Sequence, residues 1–227
     1  MIDQVYVVHY SPLQERKNKL IEALRKAEIA DVEWIECEIE EGQLSEYYQP
    51  NQQQWYQKLM PLSYSHHEPY RELKKSELSI AAKHLKVYEN ILQNKYETSL
   101  ILEDDVVFEK DLKEKIGEYL EKTPADWDLI FIGSGCNLRI PENKRSPGKV
   151  AYLKEHPATK CLDSYLVRHA AVEKFYNTLR PISLPMDFEM NYHLLINNLK
   201  CYWWEPPIVR QGSQCGLYDS EIGSWAQ

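Results

Sequence analysis

The sequence lacks any apolar run that approaches the ~20 residues of a membrane-spanning helix. Its first ten residues have no basic flank followed by an apolar stretch, so we expect no secretion signal there. No block of lysine and arginine stands out, and the formal net charge of the 227 residues is −8. These absences disfavour an integral membrane protein and a nucleic-acid-binding protein, and they leave only peripheral membrane contact open.

Cysteine and glycine are also scarce. The five cysteines are an odd number and include no C-x-x-C pair. We therefore expect reduced thiols and a reducing, cytoplasmic compartment, because disulfide frameworks belong to small, cysteine-rich secreted domains. The eight glycines form no phosphate-binding loop, since the Gly-Ser-Gly run at 133–135 is too short for one.

The remaining composition, 43% apolar and 27% charged, is that of a globular chain with enough residues for one sizeable core. Short apolar segments alternate with amphipathic ones along most of its length. This alternation predicts an α/β fold with a mainly parallel sheet and helices on both faces. The expected strands cover 5–9, 32–37, 99–102, 127–132, 161–167, 200–204 and 207–209, and the expected helices cover 11–26, 74–95, 112–122, 169–179 and 190–198.

A long segment at about 40–71 interrupts the alternation. It holds tyrosines and tryptophan among glutamine, serine and proline, and no helical or strand period runs through it. We expect a long, partly structured insertion, and loops of this length in a compact domain are often lids or binding loops. A surface elaboration without a role in binding is the other interpretation.

The most informative feature is the acidic triplet Glu103-Asp104-Asp105, which directly follows an apolar strand. Ligands of open α/β sheets bind outside the carboxyl ends of the strands. Residues two apart on a strand point the same way, so Glu103 and Asp105 are expected to share a target while Asp104 faces elsewhere. Carboxylates of this kind are ligands for Mn²⁺ or Mg²⁺. The alternative is a solvated acidic turn.

Two runs of the chain, ELSIAAKHL at 77–85 and LILEDDV at 100–106, resemble glycosyltransferase family 25. That family includes bacterial lipooligosaccharide galactosyltransferases and collagen galactosyltransferases. Further matches follow the family's order at 5–16, 127–133, 165–170, 185–187 and 220–222. Each motif is short, but together they cover nearly the whole chain outside 40–71.

The resemblance implies a single GT-A-like, Rossmann-like domain over 1–227, with a nucleotide-binding half at about 1–135 and an acceptor half at about 136–227. It implies inverting transfer of a sugar, with galactose as the family's usual choice, from a UDP-sugar to a glycan or glycoconjugate acceptor. Glu103 and Asp105 would then hold Mn²⁺ (or Mg²⁺) at the donor's diphosphate. The residues expected to line the donor site are Arg16, Glu77, His84 and Asp104.

Inverting transfer needs one base that takes the acceptor's proton. Asp187, placed in a loop before the last helix, is the candidate, with Glu189 as the alternative base or an added metal ligand. Structural interpretations stay open beside these: Asp187 as a helix cap, His84 as a core histidine and Arg16 as an exposed helix residue. Two rival functions also stay open, another metal-dependent nucleotide enzyme and a binding protein of this fold without activity.

Overall fold

The computed structural model describes residues 2–37, 44–62, 69–154 and 158–218. Seven strands form one sheet in the order β2-β1-β3-β7-β5-β8-β6, and β4 and β9 form a separate pair. The strands are β1 Gln4–Val8, β2 Val32–Ile35, β3 Thr98–Glu103, β4 Val106–Phe108, β5 Leu129–Phe131, β6 Ala151–Leu153, β7 Ser164–Arg168, β8 Cys201–Trp204 and β9 Val209–Gln211. The helices are α1 Gln14–Lys26, α2 Leu44–Tyr47, α3 Gln52–Leu59, α4 Lys75–Asn94, α5 Leu112–Glu121, α6 His169–Leu179 and α7 Met186–Ile196.

The sheet is mainly parallel, as the alternation of strands and helices predicts. Strand β1 pairs in parallel with β2 and β3, and β5 pairs in parallel with β8. Strand β7 runs antiparallel to both β3 and β5, and β6 runs antiparallel to β8. Five of the seven strands therefore point the same way, and β7 lies reversed at the centre between β3 and β5.

Helices cover both faces of the sheet. Alternate residues of β1 enter different cores: Tyr6 and Val8 pack with α4, α6 and α7, whereas Val5 and Val7 pack with α1 and α5. This alternation is the two-residue period of a strand buried on both sides. The predicted α/β class with helices on both faces is confirmed.

The segment after β2 is more ordered than its composition suggests. Within its described part, 44–62, α2 and α3 form, and Trp55 and Leu59 of α3 are each 2% exposed in the main core. Asn51 caps α3, because its side chain accepts a hydrogen bond from the backbone N–H of Gln54 at 3.0 Å. The expectation that no helical period runs through this part is therefore wrong for α3. Eight residues are too few for a hydrophobic period to stand out among glutamines.

Two further expectations need correction. Helix α7 begins at Met186, so Asp187 lies in its first turn and not in a preceding loop. Cys136 and Cys161 form a disulfide, although 25 residues separate them in the sequence, because the loops after β5 and before β7 lie side by side. The expectation that all five cysteines are reduced is therefore wrong, and it no longer supports a cytoplasmic location. No helix in the described ranges combines the length and apolar character that crossing a bilayer requires.

Candidate active site

A row of three residues crosses the central strands at the carboxyl edge of β3 and β5. The pairing of Leu102 with Ser164 places Glu103 opposite Asp163, and the backbone N–H of Glu103 donates to the Asp163 carbonyl at 2.8 Å. The pairing of Phe131 with Tyr165 continues to Gly133 on the other side of Asp163. Because β7 is reversed, its beginning meets the ends of its neighbours. Directly opposite residues project to the same face of a sheet.

The Asp163 side chain occupies the space that a side chain at Gly133 would need. A Cβ at Gly133 would lie 2.1 Å from Asp163 Oδ1 and 2.3 Å from Oδ2. Asp163 Oδ1 accepts a hydrogen bond from the Ser164 hydroxyl at 3.2 Å, whereas Oδ2 is buried without a partner. Burial raises the pKa of Asp163 to about 7. Asp163 is thus an incompletely satisfied carboxylate in the middle of the row.

Glu103 and Asp105 both contact residues at or just after the end of β9. Gln211 Nε2 lies 3.5 Å from Glu103 Oε2, and the backbone N–H of Ser213 donates to Asp105 Oδ2 at 3.2 Å. Asp105 Oδ1 is buried without a partner. Burial, followed by repulsion from neighbouring carboxylates, raises the pKa of Glu103 well above its usual range, and burial also raises the pKa of Asp105.

Asp104 faces elsewhere and contacts the residues just after β1 and the first turn of α1. Its Oδ2 lies 2.7 Å from His9 Nδ1 and accepts the backbone N–H of Tyr10 at 3.1 Å. Its Oδ1 accepts a hydrogen bond from Arg16 at 3.0 Å. The Arg16 guanidinium also lies 5.1 Å from the ring centroid of Tyr218. Asp104 and Arg16 therefore act as one unit that joins the acidic turn to α1 and to the chain after β9.

Two contacts join the loop after β5 to the loop before β7, which carries Asp163. Lys160 is 1% exposed, and its Nζ donates to the Gly133 carbonyl at 2.7 Å. The Cys136–Cys161 disulfide is the second link. Three consecutive residues, 160–162, have positive φ angles of 48°, 61° and 59°. Such backbone persists only where its surroundings hold it, and it often occurs at functional sites. Burial lowers the pKa of Lys160 to about 8 despite the nearby Asp163 carboxylate.

The two candidate bases have different surroundings. Asp187 is partly buried in the first turn of α7, where its Oδ1 accepts the backbone N–H of Phe188 at 2.9 Å. Burial raises its pKa to about 6, and Asp187 is among the carboxylates whose charge raises the pKa of Glu103. Pro185 holds the N-cap position, so Asp187 is not the cap residue.

Glu189 is fully buried and bonded on both oxygens. It pairs with Lys58 of α3, lies 3.3 Å from His193 Nε2, and accepts the backbone N–H groups of Ser183 at 3.0 Å and Leu184 at 3.1 Å. Burial alone would raise its pKa, but the hydrogen bonds from His193 and Lys58 and the Lys58 charge outweigh burial and lower it. These contacts anchor the loop before α7 and leave no oxygen for an acceptor.

Glu77 and His84 lie on α4, where other residues of the protein contact both side chains. Glu77 accepts two hydrogen bonds from Arg71, at 2.6 and 2.7 Å, and one from the backbone N–H of Lys74 at 2.8 Å. His84 is fully buried, with Nδ1 3.0 Å from the Tyr165 hydroxyl, while its Nε2 has no partner. Burial lowers the pKa of His84 to about 3. Glu77 stabilises the first turn of α4, and His84 is a neutral core histidine with one nitrogen that has no partner.

The structure thus brings Asp105, Asp163, Asp104 and Asp187 within electrostatic reach of Glu103. Glu189, Glu77 and Arg16 have other partners. Among the described residues no three carboxylate, imidazole or thiol groups stand close enough to hold a metal ion by themselves. Asp163 and Lys160 were not predicted from the sequence, because Asp163 falls inside the expected strand 161–167, whereas in the structure it directly precedes β7. The predicted family match at 220–222 lies outside the described residues.

Comparison with known proteins agrees with the resemblance to glycosyltransferase family 25. Residues 2–190 match the family model described as glycosyltransferase family 25 (LPS biosynthesis protein). Mouse procollagen galactosyltransferase 2 is 25% identical over 159 residues, which cover 67% of this chain and 24% of that protein. Procollagen galactosyltransferase 1 of Danio rerio is 27% identical over 192 residues, which cover 82% of this chain and 30% of that protein. The matched part therefore spans about a quarter to a third of these relatives.

Solved structures are more distant. Protein A197 from STIV is 13% identical with a TM-score of 0.44, over 89% of this chain and 81% of that one. Mouse xyloside xylosyltransferase 1 in its apo form is 13% identical with a TM-score of 0.32, over 83% of this chain and 63% of that one. Neither overlap is close enough to support an argument about function. The match over residues 2–190 does show the family: the chain belongs to glycosyltransferase family 25.

Proposed function

We propose that this chain transfers a hexose, galactose in the first instance, from a UDP-sugar to a hydroxyl of a glycan or glycoconjugate. The reaction inverts the anomeric centre and uses a divalent metal, Mn²⁺ or Mg²⁺. One observation carries the proposal: a member of this family places incompletely satisfied, buried carboxylates at the carboxyl edge of its central strands. This edge is where open α/β sheets bind their ligands.

The residues present fit a hard divalent cation. Asp105 has a buried oxygen without a partner, and Glu103 carries a carboxylate that burial and its neighbours disfavour in the ionised form. Mg²⁺ and similar ions are commonly held by one or two carboxylates together with substrate phosphates, so a complete protein cage is not required. Glu103 and Asp105 would hold the ion, which when bound would stabilise negative charge on the departing diphosphate.

The donor's nucleotide side lies, in this proposal, beside Asp104 and Arg16. Their ion pair orients a guanidinium at the beginning of α1, next to the acidic turn. Arginine is suited to phosphate and to aromatic faces, and here it already lies over the Tyr218 ring. His84 Nε2, which has no hydrogen-bond partner, would contact the donor only after a small rearrangement, because the side chain is fully buried.

Asp187 is the proposed base. Its pKa of about 6 leaves it ionised at neutral pH and still basic enough to accept a proton from an attacking hydroxyl. Its oxygen Oδ1 has one backbone hydrogen bond, in contrast to the bonds that occupy both oxygens of Glu189. The Lys58–Glu189 pair instead holds the start of α7 against α3, and so positions the turn that carries Asp187.

The test is a screen of UDP-sugars for hydrolysis or transfer to simple glycosides, with Mn²⁺, Mg²⁺ or chelator. We expect release of UDP from one UDP-hexose that requires the metal, and a higher melting temperature with UDP plus Mn²⁺ than with either alone. A binding protein of the same fold would show the shift without UDP release. Absence of both effects for every UDP-sugar would refute the proposal.

A further inference from the structure

Asp163 is neither one of the proposed metal ligands nor the proposed base. Its carboxylate is fully buried, faces the same side of the sheet as Glu103, and has one oxygen, Oδ2, without a hydrogen-bond partner. A buried acceptor without a partner costs on the order of 1–3 kcal/mol, more when it is charged, so native proteins rarely keep one without use. Something that donates hydrogen bonds is therefore expected at Oδ2.

The groups around Asp163 limit which kind of hydrogen-bond donor can bind at Oδ2. Lys160 already supplies a buried positive charge beside Asp163, and its attraction partly offsets the effect of burial. No third ligating group in the described part of the chain joins Asp163 into a metal site. A second cation is thus not required, whereas a neutral hydroxyl can satisfy Oδ2 without adding charge. Sugar hydroxyls are such donors.

The position of Asp163 fits the same ligand. It lies one strand away from Glu103, towards β5, so it is the next residue along the sheet edge from the proposed diphosphate site. Gly133 provides the space into which the carboxylate leans. Lys160 and the disulfide hold both sides of that space, so the carboxylate is presented on rigid backbone.

We propose that Asp163 is a sugar-recognition residue, whose carboxylate accepts hydrogen bonds from hydroxyls of the donor's pyranose. The inference rests on the proposed function, and it adds the group that distinguishes a UDP-sugar from UDP. Asp163 contacts the hexose and neither the uridine nor the metal.

The experiment compares the binding of UDP and of UDP-galactose by calorimetry, both with Mn²⁺, to the wild type and to Asp163→Asn and Asp163→Ala. Hydrogen bonds to charged groups are among the stronger ones, so Asp163→Ala should weaken UDP-galactose about tenfold or more and change UDP less than about twofold. Asp126→Asn is the matched control, because Asp126 is an exposed carboxylate that pairs with Lys200 away from the site. It should alter neither affinity.

Gly133→Ala tests the same contact without removing the carboxylate. The added methyl would meet both Asp163 oxygens and displace them, so we expect the same selective loss of UDP-galactose. A panel of UDP-galactose analogues, each lacking one hydroxyl, then identifies the partner. Wild type and Asp163→Ala should bind equally well the analogue that lacks the contacted hydroxyl.

The outcomes separate this inference from the proposed function. If Asp163→Ala weakens UDP and UDP-galactose equally, the residue serves the metal or the diphosphate and the inference is overturned. If neither affinity changes in variants that remain folded by circular dichroism, it is also overturned, while the proposed function stands. If the wild type binds no UDP-sugar at all, the proposed function is refuted and the inference falls with it.

Discussion

The raised pKa of Asp187 predicts the acidic limit of catalysis. A base must be ionised, and burial raises the pKa of Asp187 from 3.8 to about 6. The ionised fraction then falls from nearly all at pH 8 to about one tenth at pH 5. With its ordinary pKa, Asp187 would stay roughly nine tenths ionised at pH 5. We therefore expect kcat/KM to fall about tenfold between pH 8 and pH 5.

The measurement is kcat/KM for UDP-sugar turnover at saturating metal between pH 5 and 8. Affinity for UDP is measured at each pH, so that any loss of donor binding can be divided out. Asp187→Asn should retain near-normal UDP binding, lose about 10²–10⁴-fold in kcat, and show a flat residual profile over this range. Glu189→Gln should preserve the limb near pH 6, because Glu189 acts on the loop before α7 and not on the acceptor.

Two results would refute the assignment of Asp187. A corrected profile that stays flat down to pH 5 would show that no group with a pKa near 6 acts as the base. Loss of UDP binding in Asp187→Asn would place the residue in the donor site instead.

Three further predictions concern the metal, the core and the disulfide. Asp105→Asn should abolish the Mn²⁺-dependent part of UDP binding while circular dichroism stays unchanged; wild-type affinity would contradict the metal assignment. The His84 pKa of about 3 lies below its unfolded value of 6.5, so protonation of the unfolded chain should destabilise the fold as pH falls. In urea titrations, the stability difference between wild type and His84→Asn should shrink by about 2 kcal/mol from pH 7 to 5. The difference for Tyr88→Phe, which alters the same hydroxyl network, should not change. Reduction of Cys136–Cys161, which are 25 residues apart, should cost about 3.5 kcal/mol of unfolding free energy, and a Cys136→Ser variant should no longer respond to reductant.

The acidic triplet shows what the sequence could provide. An apolar strand followed by three carboxylates predicted that Glu103 ends a buried strand, with Asp104 and Asp105 directly after it at the sheet edge, because the apolar pattern of a strand is local. The strands and helices that surround the triplet were predicted for the same reason. Periodicity identifies elements, and alternation identifies the class of sheet.

The sequence could not predict that Asp163 joins the site or that Glu189 is already hydrogen-bonded. Asp163 joins the site because β7 is reversed between β3 and β5, and strand direction is set by tertiary pairing. Glu189 was the alternative base to Asp187, since both are acidic and two residues apart. The structure shows that its carboxylate is already occupied, by Lys58, which is 131 residues away, and by His193 and two backbone N–H groups. The disulfide was missed on the same grounds, because pairing in space is invisible in spacing alone.

The reversed central strand has a consequence for how the chain can fold as it is synthesised. When the first 140 or so residues have emerged, β2, β1 and β3 can pair, but the edge of β3 stays open until β7 follows at 164–168. Strand β5 has no partner before then, since both of its neighbours, β7 and β8, come later in the chain. Open strand edges invite pairing with other chains. A nascent chain of this protein should therefore depend on chaperones until about residue 170, and fragments that end before β7 should aggregate.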